Sequence, residues 1–177
     1  KEKKHFQYPR PFEVAPQLIR RYGDGRADLY ASVKGSGPFP SGHTTWGYTQ
    51  AFIIAALFPE AGPQILARGA EYGYHRVVLG VHYPLDVIAG RMVADAAVGD
   101  RWADPRFRPL ITAAGAELRA ELEWRCGARL STCIARDTPY LSTGASLAAY
   151  RDRMTYGFTR IGSPRSPFTA PATAVDL

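Results

Sequence analysis

Three blocks stand in fixed order in the first half of the sequence: Lys3-x6-Arg10-Pro11, Pro40-Ser41-Gly42-His43, and Arg76-x5-His82-x3-Asp86. They gather three cations, two imidazoles, one carboxylate and a Ser-Gly turn. A phosphoryl group in transfer spreads its charge over three equatorial oxygens, which must be held by fixed donors. The planar fork of an arginine binds two such oxygens at once, and a lysine adds a point charge. Lys3, Arg10 and Arg76 are therefore expected to hold phosphate. Ser41 and Gly42 open an apolar run, where unpaired N–H groups and the helix dipole favour an anion and glycine lets an oxygen approach closely.

No cysteine motif or carboxylate cluster suited to a metal accompanies these blocks, so the nucleophile is expected to be a side chain. His82 is the candidate. Pro84 starts a helix just after it, which lets Asp86 fold back onto one imidazole nitrogen, fix the tautomer and stabilise the charge that builds on attack. His43 is then left to protonate the leaving oxygen. Neutral His82 with protonated His43 predicts a bell-shaped pH profile. Taken singly, each residue has a plainer role: Arg76 could complement a helix C-terminus, Asp86 a first turn, and Lys3 and Arg10 the surface. The joint order points to phosphate chemistry. His5 lies outside it and is assigned to the surface.

The elements that must carry these groups read as helices. A short helix is expected over 13–22, then a connector rich in Gly, Ser and charge over 23–37. Ser41 can cap a helix over 43–57 that is apolar on most faces, with Trp46, Tyr48, Phe52, Ile53, Ile54 and Leu57. Pro63 opens the next helix, which runs to Gly80, and Pro84 opens another over 84–98. Residues 106–125 carry Leu110, Ile111, Ala114, Leu118 and Leu122 at helical spacing. Ser142 or Thr143 caps a shorter helix to about 154. Val77-Val78-Leu79 could pass for a strand, but no partner strand is evident. The reading is one domain over 1–160 and a Pro/Ser/Thr-rich tail over 161–177, expected to be a surface strap or partly disordered.

The length of 177 residues suits one compact domain. A formal net charge of +6 favours anionic partners, but the basic residues are scattered and equally suit a soluble surface. Small phosphorylated molecules are the expected partners, and nucleic acid is not expected. The longest apolar stretch, Tyr48 to Phe58, is too short to span a membrane. Cys126 and Cys133 flank Gly127. On a continuous helix they lie too far apart to be bridged, whereas a break at Gly127 would allow a disulfide, which we expect in an oxidising compartment. The chain opens on a lysine-rich segment without an initiator Met, so processing or missing residues are expected.

The three blocks resemble the signature of the type 2 phosphatidic acid phosphatase (PAP2) superfamily, which contains bacterial class A non-specific acid phosphatases, membrane lipid phosphatases and vanadium haloperoxidases. The resemblance spans residues 3–86. It implies an all-α helical bundle and a phosphohistidine intermediate, with His82 as nucleophile, Asp86 as its orienter and His43 as general acid. Lys3, Arg10, Ser41, Gly42 and Arg76 become the phosphate contacts, with no metal and no cofactor. Vanadate is expected to bind only as a phosphate analogue. The lack of membrane spans argues against an integral lipid phosphatase, and the short spacing between the second and third blocks argues against a haloperoxidase. A periplasmic or secreted phosphomonoesterase is the preferred reading, with possible phosphotransfer to alcohols. The alternatives are a vanadium haloperoxidase, a phosphatase of lipid phosphates or diphosphates, and an inactive anion-binding module. Two departures stand out. His75 occupies the position where the family has a serine, and is expected either to substitute as a phosphate donor from its ring or to leave only its backbone N–H, with altered pH dependence or substrate preference. Helices normally precede the lysine block, so an upstream segment or another subunit is expected to cover an open apolar face.

Overall fold

The computed structural model describes residues 2–23, 28, 30–159 and 161–162, so almost all of the expected tail lies outside the described residues. Every regular element among them is helical. The centre is α3 (Gly42–Leu57), started by Ser41, whose Oγ accepts the Thr44 N–H at 3.3 Å. A 3-10 turn at Pro59–Ala61 leads into α4 (Gly62–Val78), with Pro63 in its first turn, as its missing N–H favours. α4 runs through Val77 and Val78, so the possible strand there is helix instead. α5 (Pro84–Ala103) starts after Tyr83 and extends beyond the expected 98.

These three helices bury Tyr48, Phe52, Ala70, Ala94 and Val98, with Leu66, Trp102 and Tyr150 packed around them. They converge near the head of α3 through small residues. A Cβ on Gly90 would stand 2.7 Å from the Ser41 carbonyl oxygen and 2.9 Å from Thr44 Cβ. One on Gly73 would stand 3.0 Å from Val87 and 3.1 Å from Thr44. The close approach of backbones at that point is thus written into two glycines.

The N-terminal segment departs from expectation. Instead of a helix over 13–22 there are two single-turn helices, α1 (Glu2–His5) and α2 (Pro11–Val14). Pro16 explains the stop: it lacks an N–H and pushes Ala15 out of the helical region. Phe12 still packs, with Tyr30 and Val81, into a second small core that pins this segment onto the turn between α4 and α5.

α6 (Phe107–Cys126) ends at Gly127, whose φ of +71° is the left-handed conformation that favours glycine at a helix end. The reversal brings α7 (Leu130–Arg136) back alongside, and Cys126 and Cys133 form the expected disulfide. Arg119 ties α6 to the 3-10 turn through Glu60, at 2.6 and 3.1 Å. α8 (Thr143–Thr155), capped by Ser142 Oγ, packs on α4. On α6, Leu110, Leu118, Leu122 and Trp124 remain exposed. No helix is long and apolar enough to cross a membrane.

Candidate active site

The head of α3, the turn between α4 and α5, and the N-terminal segment meet around a cleft of about 570 Å³, lined by Lys3, Arg10, Gly42, His43, Trp46, Tyr72 and His82 among others. Arg10 is buried and holds its wall together. Its Nε donates to the carbonyls of Val33 and Ser36 at 2.9 and 3.1 Å. Nη1 donates to the Val81 carbonyl at 2.7 Å, and Nη2 to Ser36 Oγ at 2.9 Å. Lys3 Nζ donates to the Gly37 carbonyl at 3.0 Å. Desolvation lowers the pKa of Lys3, and the charge of Arg10 lowers it further.

His82 lies at the back of the cleft and is 3% exposed. Its Nε2 is 3.4 Å from Arg10 Nη1, and its Nδ1 is 3.4 Å from Asp86 Oδ2. The latter is an ion-pair distance whose geometry falls short of a hydrogen bond, leaving Nδ1 without a bonded partner. An Asp86 facing Nδ1 favours the tautomer with the proton there, which leaves the Nε2 lone pair toward the cleft. Burial lowers the pKa of His82. Asp86 partly offsets this, while Arg10 adds to it.

Asp86 is fully buried and firmly placed. As the third residue of α5, it accepts the Tyr83 N–H on Oδ2 at 2.8 Å. Its other oxygen, Oδ1, accepts the Tyr8 hydroxyl. Its own carbonyl accepts the Ser41 N–H at 3.0 Å, which links the third block to the second. Tyr8 was not singled out from sequence. Its hydroxyl has a raised pKa, first from burial and then from the bond to Asp86. Glu13 was also missed: it accepts the Arg10 N–H at 2.9 Å and so fixes the backbone that carries the guanidinium. Tyr8 had no distinctive signal beyond its place inside the first block, whereas Glu13 is a readable capping residue three positions after Arg10.

His43 sits on the first turn of α3 and reaches the same cleft. His43 is exposed, yet desolvation lowers its pKa, followed by the charges of Arg76, Arg10 and Lys3. Arg76 lies over the Tyr72 ring, its guanidinium carbon 5.4 Å from the centroid. Its Nε is buried without a hydrogen-bond partner among the described residues. A Cβ added to Gly42 would meet nothing within 4 Å. Packing therefore does not demand glycine there, and its bareness opens toward the cleft.

Two expected phosphate contacts are placed differently. Ser41 is fully buried, and its Oγ accepts from the N–H and, at 2.9 Å, the hydroxyl of Thr44. Its evident task is to cap α3, which leaves the N–H groups of the first helical residues without intrahelical partners. His75 turns away from the cleft: its Nε2 is 3.8 Å from Glu71 Oε1, and it lines a neighbouring groove between α3 and α4. Adjacent residues diverge by about 100° around a helix, so His75 and Arg76 point in different directions, Arg76 over the Tyr72 ring. Among the described residues, no group of three or more His, Cys, Asp or Glu side chains could hold a metal ion.

Known proteins are similar to this chain over part of its length. The chain is 41% identical over 73 residues to a non-specific acid phosphatase of Providencia stuartii, covering 41% of this chain and 29% of that protein. It is 30% identical over 120 residues to a non-specific acid phosphatase of Salmonella typhimurium, covering 68% of this chain and 44% of that protein. A lipid A 1-phosphatase of Rhizobium etli is 44% identical over 52 residues, 29% of this chain and 22% of that protein. The aligned part thus spans less than half the length of each of these relatives. A family profile described as PAP2 superfamily matches residues 2–99, which hold all three blocks, the cleft and the helices that frame it. With the helical fold and that match in agreement, the chain belongs to the PAP2 superfamily.

Proposed function

We propose that this chain carries the catalytic centre of a phosphatase that hydrolyses phosphomonoesters through a phosphohistidine. The observation that carries the reading is His82, buried between Arg10 at Nε2 and Asp86 at Nδ1, on a cleft it shares with His43. Nε2 attacks phosphorus as the P–O bond to the alcohol breaks, and protonated His43 gives its proton to the leaving oxygen. Neutral His43 then takes a proton from water, whose oxygen attacks phosphorus, breaks the P–N bond and releases orthophosphate. Lys3, Arg10, Arg76 and the N–H groups beside Gly42 hold the equatorial oxygens. In this reading Arg10 exchanges part of its carbonyl bonding for the anion. Vanadate, a mimic of the five-coordinate phosphorus, is expected to inhibit.

The names of the relatives, acid phosphatases and a lipid A 1-phosphatase, support the reaction class. The disulfide supports an oxidising compartment, periplasmic or secreted. The exposed leucines of α6 support a covering contact from another segment or a second copy. Rapid quenching with p-nitrophenyl phosphate labelled on phosphorus tests the mechanism. The parent protein should yield an acid-labile phosphoprotein, and His82→Ala should yield none and lose activity by about a thousandfold or more. A His82→Ala protein that turns over at the parent rate would sink it.

A further inference from the structure

We infer that the apolar seam between α3 and α4 is a second binding region, continuous with the cleft, which takes the alcohol portion of the substrate when that portion is an alkyl or aryl group. The inference rests on the phosphatase reading above. The seam holds a groove of about 380 Å³ whose apolar walls include Trp46, Ile54, Ile65 and Tyr72. Trp46 is 61% and Ile54 42% exposed, so two large apolar side chains stand in water on the same stretch of α3. Such a concentration marks a binding surface more often than a chance exposure does.

The groove and the cleft share two walls. The rings of Trp46 and Tyr72, 5.8 Å apart, line both, and the Arg76 guanidinium rests over that same Tyr72. Gly47 keeps the seam narrow: a Cβ there would come within 2.5 Å of Tyr72 Cδ1. The direction also fits the chemistry. In an in-line displacement the alcohol leaves on the side opposite the nucleophile, where His43 protonates it. His43, Gly47, Gln50 and Ile54 follow one another at three- and four-residue steps, hence on one stripe of α3. An alcohol leaving beside His43 would therefore run straight along the groove, for about 16 Å to Ile54 at 1.5 Å per residue.

The charges at the groove match an uncharged occupant. Arg68 is paired with Glu71, which also stands 3.8 Å from His75, so no cation is left over for a second phosphate. His75, outside the phosphate contacts, thus belongs to the rim of this second region.

A series of ethyl, butyl, hexyl, octyl and dodecyl phosphates, used below micelle formation with glycerol phosphate as a polar reference, tests the inference. Full burial of a methylene corresponds to about fourfold in affinity, so an open groove should raise kcat/KM about twofold for each one. Ile54→Glu, at a position remote from the cleft, should cut the value for dodecyl phosphate, the ester long enough to reach it, about tenfold or more. It should leave glycerol phosphate turnover and orthophosphate inhibition unchanged, which also reports an intact fold. A flat chain-length series, or a dodecyl phosphate rate indifferent to Ile54→Glu, overturns the second region while leaving the phosphatase reading standing. Failure to hydrolyse any of the esters overturns both.

Discussion

Asp86 has two neighbours competing for its charge. Tyr8 donates to one oxygen and the Tyr83 N–H to the other, while His82 waits beside Oδ2. Each donor bond draws charge away from His82 and so limits how far Asp86 can raise the pKa of the imidazole. Tyr8→Phe should therefore raise the pKa of His82 and move the acid limb of kcat/KM to higher pH. An unmoved acid limb with an unchanged fold would reduce Tyr8 to a packing residue. The sign for the parent protein follows from the same groups. Both His82 and His43 are shifted below 6.5, in each case first by desolvation. The proposed mechanism needs His82 neutral and His43 protonated, so it predicts an alkaline limb below 6.5 and activity of the free protein confined to acid pH. A kcat/KM maximum above pH 7 would contradict this. Gly42→Ala separates binding from stability, because the new methyl meets no protein atom within 4 Å. Thermal stability should hold to within about 0.5 kcal/mol, while kcat/KM on p-nitrophenyl phosphate falls about tenfold or more as the methyl enters the cleft.

At the scale of the elements, the site depends on how closely α3, α4 and α5 approach. Gly90 of α5 touches the Ser41 carbonyl and Thr44, and Gly73 of α4 fits between Thr44 and Val87. Gly90→Ala should destabilise the fold by about 1–3 kcal/mol through overpacking. Because the clash falls on the backbone that presents Gly42 and His43, activity should drop with it; denaturant titration alongside kinetics checks both. The helices themselves were largely legible in the sequence. Ser41, Pro63 and Pro84 signal three helix starts locally, and all three lie where those residues put them. The helix expected over 13–22 does not form: within it only Ile19 packs against the small core of Phe12, Tyr30 and Val81, while Val14 and Leu18 stay exposed. That core joins residues far apart in sequence, which periodicity cannot see, and Pro16 then ends the local helix.

For the whole molecule, the disulfide closes a short loop well away from the cleft, between α6 and α7. Replacing both cysteines by serine should cost about 2.5 kcal/mol by the chain-entropy relation and lower Tm by about 5–10 °C. The kinetics on p-nitrophenyl phosphate should stay at the parent level, since α6 and α7 contribute no wall to the cleft. A loss of activity at temperatures where the variant remains folded would show that this hairpin reaches the site. The exposed Leu110, Leu118, Leu122 and Trp124 explain why the helical spacing of 106–125 was readable while its burial was not. Periodicity reports which residues share a face, and only the surrounding chain decides whether anything covers that face.

By itself, the sequence determined the kind of chemistry and the places where helices begin. Lysine, arginine, histidine and aspartate bring donors, acceptors and titratable groups whose kinds are set by residue type, and caps act over three or four residues. The tertiary structure alone decided the division of labour among those residues. It brought Arg10 against His82 beside Asp86, and sent His75 to the groove rather than the cleft. It also recruited Tyr8, from 78 positions away, to hold Asp86. Direction and partnership depend on how three helices and an N-terminal strap converge, a relation between distant residues that no local pattern encodes.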